Sequence, residues 1–395
     1  MSSWRTARLE EVAQILGGGT PARSEESYFG GGIAWATPTD VTALDQLYIS
    51  ETKEAVTDAG LRNSSTKLMP PGAVLLTSRA TIGFTAVSKV PICTNQGFIN
   101  FICGPDIVPE YLAYWLRTQK AKMFQHAGGT TFKEIARGTI RKFEVPVPPL
   151  PEQRRIVDLL SRAEGIVRLR REAEKKAAEL ISALFLDMFG DPATNPKGWP
   201  TATVGDAIDS ADYGSSTKAS DSGDGLPLIR MGNVSFEGKL DLTDLKFVEL
   251  PPTEVDRYRL REGDILFNRT NSKELVGKTG LWSGAIDAVA ASYFIRLRAK
   301  SDCLVPHYLW VFMNTGHMKR VLFETARGAI GQANINSKEL KAFRLPLPPT
   351  KLQRQFETHC RSIAAMEEQQ SAATAKAQEA FDALLGRVFS PAQMT

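Results

Sequence analysis

The chain has 395 residues, 43% of them hydrophobic and 23% charged, which is enough apolar material for two or three folded domains and excludes a disordered chain. No apolar run approaches the roughly 18 residues of a membrane span, and the N-terminus lacks a signal-peptide core, so we expect a cytoplasmic protein. The net charge of +4 is too small to indicate nucleic-acid binding by itself, and the four cysteines, which lack paired spacing, are expected to be free thiols.

The first 149 residues predict a mixed α+β domain. Short apolar runs, such as Ala73–Leu76 and Phe98–Ile102, stand between clusters of Gly, Pro, Ser and Thr. Helical spacing follows from Pro109 to Phe124. The segment ends in a proline-rich stretch, which suits neither a central strand nor a helix interior because proline lacks the amide donor. We therefore expect a first globular domain over 1–149.

Residues 150–191 predict one long helix. Pro151 suits a first helical turn, and beyond it the apolar residues step by three and four, as in the seam of a coiled coil. The seam residues that we select are Ile156, Leu159, Ala163, Ile166, Ala177, Leu180 and Leu184.

The whole unit occurs a second time about 200 positions later. Phe143–Pro149 is answered by Phe343–Pro349, and Val108–Leu112 is answered by Val305–Leu309. The repeat predicts a second globular domain over 192–349 and a second long helix over 350–395. The seam residues of that helix are Ile363, Met366, Ala377 and Leu384.

Two arrangements of the helices are open at this point. Each helix could pack only on its own domain, or the two could pair with each other. We favour antiparallel pairing, which relates the duplicated units by an approximate two-fold axis with one globular domain at each end of a rod. Duplex DNA has such axes perpendicular to its own, so two readers on one spacer suit a split target with inverted half-sites. The fold class is then α+β, with two globular domains joined by two long antiparallel coiled-coil helices.

Several motifs resemble the specificity subunits of type I restriction-modification systems. Two stretches resemble motifs of the family's target-recognition domain. The opening motif is resembled by Gly19–Pro21, Tyr28–Phe29, Gly31–Trp35 and Thr37–Val41, and the motif in the middle of the domain by Asn95–Phe98. The residues Gly128–Thr131, followed by Val147–Val157, resemble the segment by which the family's domain leads into its spacer helix. The resemblance covers nearly all of the chain and makes each globular domain a target-recognition domain.

The resemblance implies a non-catalytic subunit that binds double-stranded DNA. Such a subunit reads a bipartite, asymmetric site with one domain per half-site and holds two modification (adenine methyltransferase) subunits on its helices. Restriction subunits join through the modification subunits. The resemblance also implies that the chain binds no cofactor itself, that S-adenosylmethionine belongs to the modification subunits, and that ATP and magnesium belong to the restriction subunits.

Candidate DNA-contacting residues are Lys and Arg for phosphates and polar side chains for base edges. In the first domain we select Arg23, Ser78, Arg79, Thr81 and Lys133. In the second we select Lys218, Arg230, Asn268, Arg269, Asn271, Lys273 and Gln332. Most of them stand in polar loops that follow predicted strands, although such loops are also common as merely solvated surface. Thr20, Trp35 and Asp40 are expected to support the loops instead.

Two other functions are open from the sequence. One is a scaffold that binds only proteins, and the other is a stand-alone nuclease, for which Asp45, Glu51 and Lys53 are a weak candidate metal site. Gly277–Thr279 lacks the earlier glycine of a phosphate-binding loop, and the histidines and cysteines show no zinc-ligand spacing.

Overall fold

The computed structural model describes residues 4–129, 133–221, 223–329 and 332–390. The chain folds as two compact units, the first made of Met1–Ala173 with Gln370–Thr395 and the second of Glu174–Gln369. Each unit contains one globular domain and a part of both long helices. Thr130, Thr131 and the last five residues of the predicted 350–395 helix lie outside the described residues. All four cysteines are free, as predicted.

The domain of the first unit is built from short strands and helices. The strands are β1 (Arg5–Arg8), β2 (Ala13–Gly17), β3 (Phe29–Ala36), β4 (Tyr48–Ile49), β5 (Glu54–Val56), β6 (Val74–Thr77), β7 (Thr85–Ser88), β8 (Ile92–Thr94), β9 (Phe98–Cys103) and β10 (Glu144–Val147). The helices are α1 (Leu9–Val12), α2 (Pro38–Thr42), α3 (Asp58–Arg62), α4 (Pro109–Thr118), α5 (Lys120–His126) and α6 (Arg137–Ile140). The helix predicted from Pro109 to Phe124 is therefore two helices, which meet at Gln119.

The first long helix, α7, covers Leu150–Phe189. The strands of the second unit are β11 (Thr201–Thr203), β12 (Ile208–Tyr213), β13 (Leu226–Ile229), β14 (Lys246–Val248), β15 (Ile265–Asn268), β16 (Thr270–Asn271), β17 (Thr279–Leu281), β18 (Val289–Ala290), β19 (Phe294–Ala299), β20 (Arg327–Ala329), β21 (Gln332–Asn334) and β22 (Arg344–Pro346). The helices are α8 (Pro252–Tyr258), α9 (Pro306–Asn314), α10 (Gly316–Thr325), α11 (Ser337–Ala342) and the second long helix, α12 (Thr350–Val388).

The two domains share a common arrangement of strands, to which the first adds a fifth strand, β4, at the edge of its main sheet. The first has the strand orders β2-β9-β6-β7-β4 and β5-β3-β8, and the second has β12-β19-β15-β17 and β14-β13-β18. In both, the central strand of the three-stranded sheet pairs antiparallel with one neighbour and parallel with the other. The proline-rich exits β10 and β22 each lie in a two-stranded pair, with β1 and β11. The repeat in the sequence is thus a repeat in structure.

The long helices run antiparallel, as predicted. In the first unit the buried side chains of early α7, such as Ile156, share a core with those of late α12, such as Leu385. In the second unit late α7 and early α12 share a core through Phe185 and Phe356. The same cores include side chains of the globular domains, so each helix packs on its partner and on a domain at once. No helix among the described residues is both long and apolar enough to cross a membrane.

The register of the predicted seam is wrong at four positions. Leu159, Ile166, Leu180 and Met366 are between 40% and 53% exposed. The buried stripe of α7 runs instead through the neighbouring residues Leu160, Val167, Ile181 and Phe185. Both stripes have three-and-four spacing, and the buried one is the stripe that also faces a domain, which helix periodicity alone does not reveal. The other seam residues are buried or half-buried: Ile156, Ala163, Ala177, Leu184, Ile363, Ala377 and Leu384.

Candidate nucleic-acid interface

The polar loop of the first domain connects β6 with β7 and lies beside Lys133 and Glu134. Glu134 forms isolated antiparallel β-bridges with Arg79 and with Gly128. The Ala80 amide donates to the Lys133 carbonyl at 3.1 Å, which brings Lys133 beside the loop. Four of the five residues selected in this domain, Ser78, Arg79, Thr81 and Lys133, are thereby collected at one place.

Three of these four residues are exposed, and the fourth is not. Arg79, Thr81 and Lys133 face solvent. Ser78 was expected to project from the loop, but it is buried. Its backbone joins two segments, since its amide donates to Gly97 at 2.8 Å and its carbonyl accepts from Ile135 at 2.9 Å. Ser78 therefore shapes the loop rather than presenting its hydroxyl.

Arg23 is held apart from the loop by its own partners. Its guanidinium donates to both carboxylate oxygens of Glu54 on β5, and it lies 4.7 Å from the ring centre of Phe29 and 5.0 Å from that of Trp35. The hydrogen bond to Glu54 raises its pKa further. A carboxylate already neutralises this arginine, so the structure gives it a supporting place. Glu54 is 31 positions away in the chain, and sequence spacing gave no signal of the pairing.

A recess beside the loop contains residues that sequence reasoning did not select. The recess is a cavity of about 310 Å³ lined by Pro38, Arg79, Ala80, Asn95, Gln96 and Gly97. Ala80 has a φ of 59°, in the region that favours glycine, so the recess includes a strained backbone position. Thr20 donates to the exposed Gln96 side chain. The motif Asn95–Phe98 was the available signal for this recess.

Trp35 and Asp40 support the loops, as predicted. The Trp35 indole donates to the Gly19 carbonyl at 3.0 Å. The buried Asp40 carboxylate accepts from the amides of Thr37 at 2.8 Å and Lys53 at 3.0 Å. These bonds fix the segments that precede the recess.

The second domain builds its loop in the same way and more regularly. After β15, the strand β16 pairs with β21, which pairs with β20. The Ile335 amide donates to the Arg269 carbonyl at 2.9 Å, as Ile135 does to Ser78 in the first domain. Five selected residues are brought together at this sheet: Asn268, Arg269, Asn271, Lys273 and Gln332.

Asn268 was expected to present its amide to DNA, but it is fully buried. Its Nδ2 donates to the carbonyls of Thr270 and Tyr293, each at 3.3 Å, and its Oδ1 accepts from Asn271 at 2.9 Å. A buried amide of this kind must satisfy its own donors and acceptors internally. Asn268 therefore holds the turn that the other residues occupy.

Aromatic rings accompany the basic residues of this loop, and sequence reasoning did not select them. The guanidinium carbon of Arg269 lies 5.0 Å from the ring centre of Tyr213, and Nζ of Lys273 lies 4.5 Å from that of Phe323. Both rings are exposed, and Gln332 is also exposed. Exposed rings under cations form an amphipathic surface that can stack on or pack against nucleotides.

Lys218 and Arg230 follow other strands of the second domain, β12 and β13. Lys218 is exposed. Arg230 donates to the Asp244 carboxylate at 3.1 Å and is only partly exposed. As with Arg23, a carboxylate neutralises this guanidinium.

The rejected motifs have structural explanations. Lys278 is buried and its Nζ donates to the carbonyls of Met231 at 2.7 Å and Val234 at 2.6 Å, while burial lowers its pKa. It fastens the core and does not face a phosphate. Among the residues that the structure describes, no group of three or more His, Cys, Asp and Glu side chains could hold a metal ion, and this includes Asp45 and Glu51.

Comparisons with known proteins agree with this architecture. The family model for the type I restriction modification DNA specificity domain matches residues 1–179 and 196–357. The chain is 33% identical over 222 residues to the type I restriction enzyme MjaIX specificity subunit of Methanocaldococcus jannaschii, covering 52% of this chain and 51% of that relative. It is 24% identical over 356 residues to the EcoKI specificity subunit of Escherichia coli, covering 83% of this chain and 76% of the relative.

Two solved structures share the fold. A chain from a type I R-M system matches with a TM-score of 0.62 at 22% identity, over 98% of both chains. The S subunit of a type I restriction-modification system from M. genitalium matches with a TM-score of 0.51 at 14% identity, over 98% of this chain and 96% of that one.

Proposed function

Because the chain belongs to the family of type I restriction-modification DNA specificity proteins, we propose that it reads a bipartite DNA sequence, one half-site with each globular domain. The observation that carries the proposal is the repeated recognition loop. In each domain the loop after the equivalent strand, β6 or β15, pairs with a later segment, Glu134 in the first and β21 in the second, and presents basic and polar side chains. Basic side chains position a protein on phosphates, and polar ones read base edges.

The two half-sites differ in sequence under this proposal. The first domain presents Arg79, Thr81 and Lys133 around a recess, and the second presents Arg269 and Lys273 among exposed aromatic rings. Similar frameworks with different side chains at the loops select different bases. The target is therefore asymmetric.

The exposed apolar side chains of the long helices are the contact surface for two modification subunits. In the first unit these are Leu159, Ile166 and Leu169 of α7, and in the second they are Leu180 of α7 and Met366 of α12. In the second unit Leu180, Ile363 and Met366 also line a shallow, mostly apolar cavity of about 450 Å³. Contiguous exposed apolar residues are typical of interaction surfaces. Each unit offers one such surface, which supports one modification subunit per unit.

The chemistry belongs to the partners in this proposal. The chain is the non-catalytic member, S-adenosylmethionine is bound by the modification subunits, and ATP and magnesium are bound by the restriction subunits that join through them. The side chains of the two recognition loops are suited to binding and orientation, which is the contribution expected of a specificity subunit.

Methylome sequencing of cells with and without this chain tests the proposal. We expect a gapped, asymmetric motif carrying methylated adenine, which disappears on deletion and returns on complementation. Methylation that is unchanged on deletion, in cells that express the modification subunits, would contradict a DNA-reading role. It would favour a protein scaffold instead.

A further inference from the structure

Three framework positions are occupied in opposite ways in the two domains. The strand registers show which residues of the two domains are equivalent. Gly17 pairs with Ile99 in the first domain as Tyr213 pairs with Ile295 in the second, so Gly17 and Tyr213 occupy the same position. The registers also align β6 with β15, since Thr77 faces Phe98 and Asn268 faces Phe294. The equivalent trios are Gly17, Ser78 and Gly97 in the first domain and Tyr213, Arg269 and Tyr293 in the second.

The backbone around the trio is the same in both domains. The middle residue donates its amide to the third, at 2.8 Å from Ser78 to Gly97 and at 2.9 Å from Arg269 to Tyr293. In the first domain these positions are occupied by two glycines and a serine, and one of the glycines, Gly97, lines the recess. In the second domain the same positions carry a guanidinium and two phenol rings. The difference between the domains is therefore one of side chains on a shared frame.

Tyr213 holds Arg269 in a defined place. Its hydroxyl accepts from the Ser337 amide at 3.3 Å, and its ring lies under the guanidinium. The rings of Tyr213 and Tyr293 are 44% and 42% exposed, so the trio is at the surface. Stacking on a ring restricts the guanidinium without using its terminal nitrogens.

Arg269 differs from the other arginines that we selected by having no acidic partner among the residues that the structure describes. Arg23 is paired with Glu54, Arg79 with Glu134 and Arg230 with Asp244. Within the described part of the chain, no salt bridge or side-chain hydrogen bond joins Arg269 to another residue, and its Nε is buried without a partner. A charged, oriented fork with unengaged terminal nitrogens suits bidentate recognition. Guanine offers the matching pair of acceptors, O6 and N7, in the major groove.

We propose that Arg269, positioned by Tyr213, contacts a guanine in the half-site read by the second domain. The inference rests on the proposed function and specifies one base of one half-site. Arg269 is the contacting residue, and Tyr213 is a positioning residue that acts through it. Tyr293 borders the same surface.

The test uses the full chain assembled with its modification subunits and S-adenosylmethionine. The complex methylates a library of duplexes in which every position of both half-sites is varied, and sequencing of methylated strands gives the preference at each position. The variants are Arg269→Ala, Tyr213→Ala and Tyr213→Phe. Arg257→Ala is the control, because Arg257 also lies over a tyrosine, 5.3 Å from the ring centre of Tyr258 on α8, and is exposed.

We expect wild type to require guanine at one position, and Arg269→Ala to lose on the order of 10- to 100-fold of that preference at that position alone. Tyr213→Ala should lose part of it, Tyr213→Phe should retain it because the ring remains, and Arg257→Ala should change nothing. The preserved preference at the other half-site shows that each variant is folded and assembled.

Two results would overturn the inference while leaving the proposed function intact. One is an unchanged target in Arg269→Ala, and the other is a uniform loss of methylation over all sequences, which is the behaviour of a phosphate contact. A wild-type complex that selects no sequence would overturn the proposed function and this inference with it.

Discussion

Gln153 and Gln353, 200 positions apart, make the same three side-chain hydrogen bonds. Gln153 accepts from the Val108 amide at 2.8 Å and donates to the carbonyls of Asp106 at 2.8 Å and Pro148 at 2.9 Å. Gln353 accepts from the Val305 amide at 2.9 Å and donates to the carbonyls of Cys303 at 3.0 Å and Pro348 at 2.7 Å. Both side chains are fully buried. Each glutamine fastens the start of a long helix to the residue before α4 or α9.

Replacing Gln153 by Met should destabilise the first unit by about 3 kcal/mol, because the Val108 amide and the Asp106 and Pro148 carbonyls lose their partner in the protein while the volume is kept. Hydrogen exchange at Val108, read by mass spectrometry during urea titration, should show the loss. Gln353→Met should have the same effect at Val305. The control is Arg154→Met at the exposed neighbouring position, which should stay within about 0.5 kcal/mol of wild type. Unchanged protection at Val108 in Gln153→Met would contradict the fastening role.

The duplicated frame could be predicted from sequence because its signals are local and repeated. Proline-rich exits, a glutamine three residues into each long helix and matched strand patterns recur at one spacing, and the antiparallel pairing of helices follows from them. The place of Arg79 and Thr81 in a loop was also accessible, since both follow the apolar run that forms β6, whereas the approach of Lys133 to that loop had no signal in the sequence.

Other features depend on contacts between distant residues and could not be predicted. Arg23 is neutralised by Glu54, and Asn268 is buried by carbonyls of Thr270 and Tyr293. The aromatic ring under Arg269 comes from Tyr213, 56 positions earlier, on another strand. Nothing local in the sequence marks these partners.

The observed register of α7 predicts very different effects on the free energy of unfolding at two adjacent residues. Phe185 is fully buried, with its ring centre 5.3 Å from that of Tyr308 and 5.7 Å from that of Phe356, whereas Leu186 is exposed. Phe185→Ala should therefore lower the free energy of unfolding by about 3 to 5 kcal/mol. Leu186→Ala should change it by no more than about 0.5 kcal/mol. Chemical denaturation of the two variants tests the observed register, and a larger loss of stability in Leu186→Ala than in Phe185→Ala would contradict it.

The exposed stripe of the first unit predicts a loss of assembly without a loss of fold. A double variant, Ile166→Ser with Leu169→Ser, replaces two exposed apolar side chains on α7. It should lower the affinity for one of the two modification subunits by roughly tenfold or more. Native mass spectrometry should then show complexes that carry one modification subunit instead of two, while the unfolding midpoint stays unchanged. Arg154→Ala, at an exposed polar position of the same helix, should leave two subunits bound. Two subunits held with wild-type affinity by the double variant would place the contact surface elsewhere.

Lys319 on α10 predicts how stability varies in alkaline solution. Burial is the main cause that lowers its pKa from 10.5 to about 8, and Nζ lies 4.6 Å from the ring centre of Phe236. Glu237 raises this pKa and Lys278 lowers it. Between about pH 8 and 10.5 the unfolded chain therefore binds more protons at this site than the folded chain, so its contribution to stability grows as the pH rises. Urea denaturation across that range should show a shallower dependence in Lys319→Met than in wild type, and Lys300→Met, at a lysine whose Nζ bonds the Asp206 carbonyl, serves as the control. Parallel curves for wild type and Lys319→Met would mean that the Lys319 ammonium is as well solvated in the folded protein as in the unfolded chain.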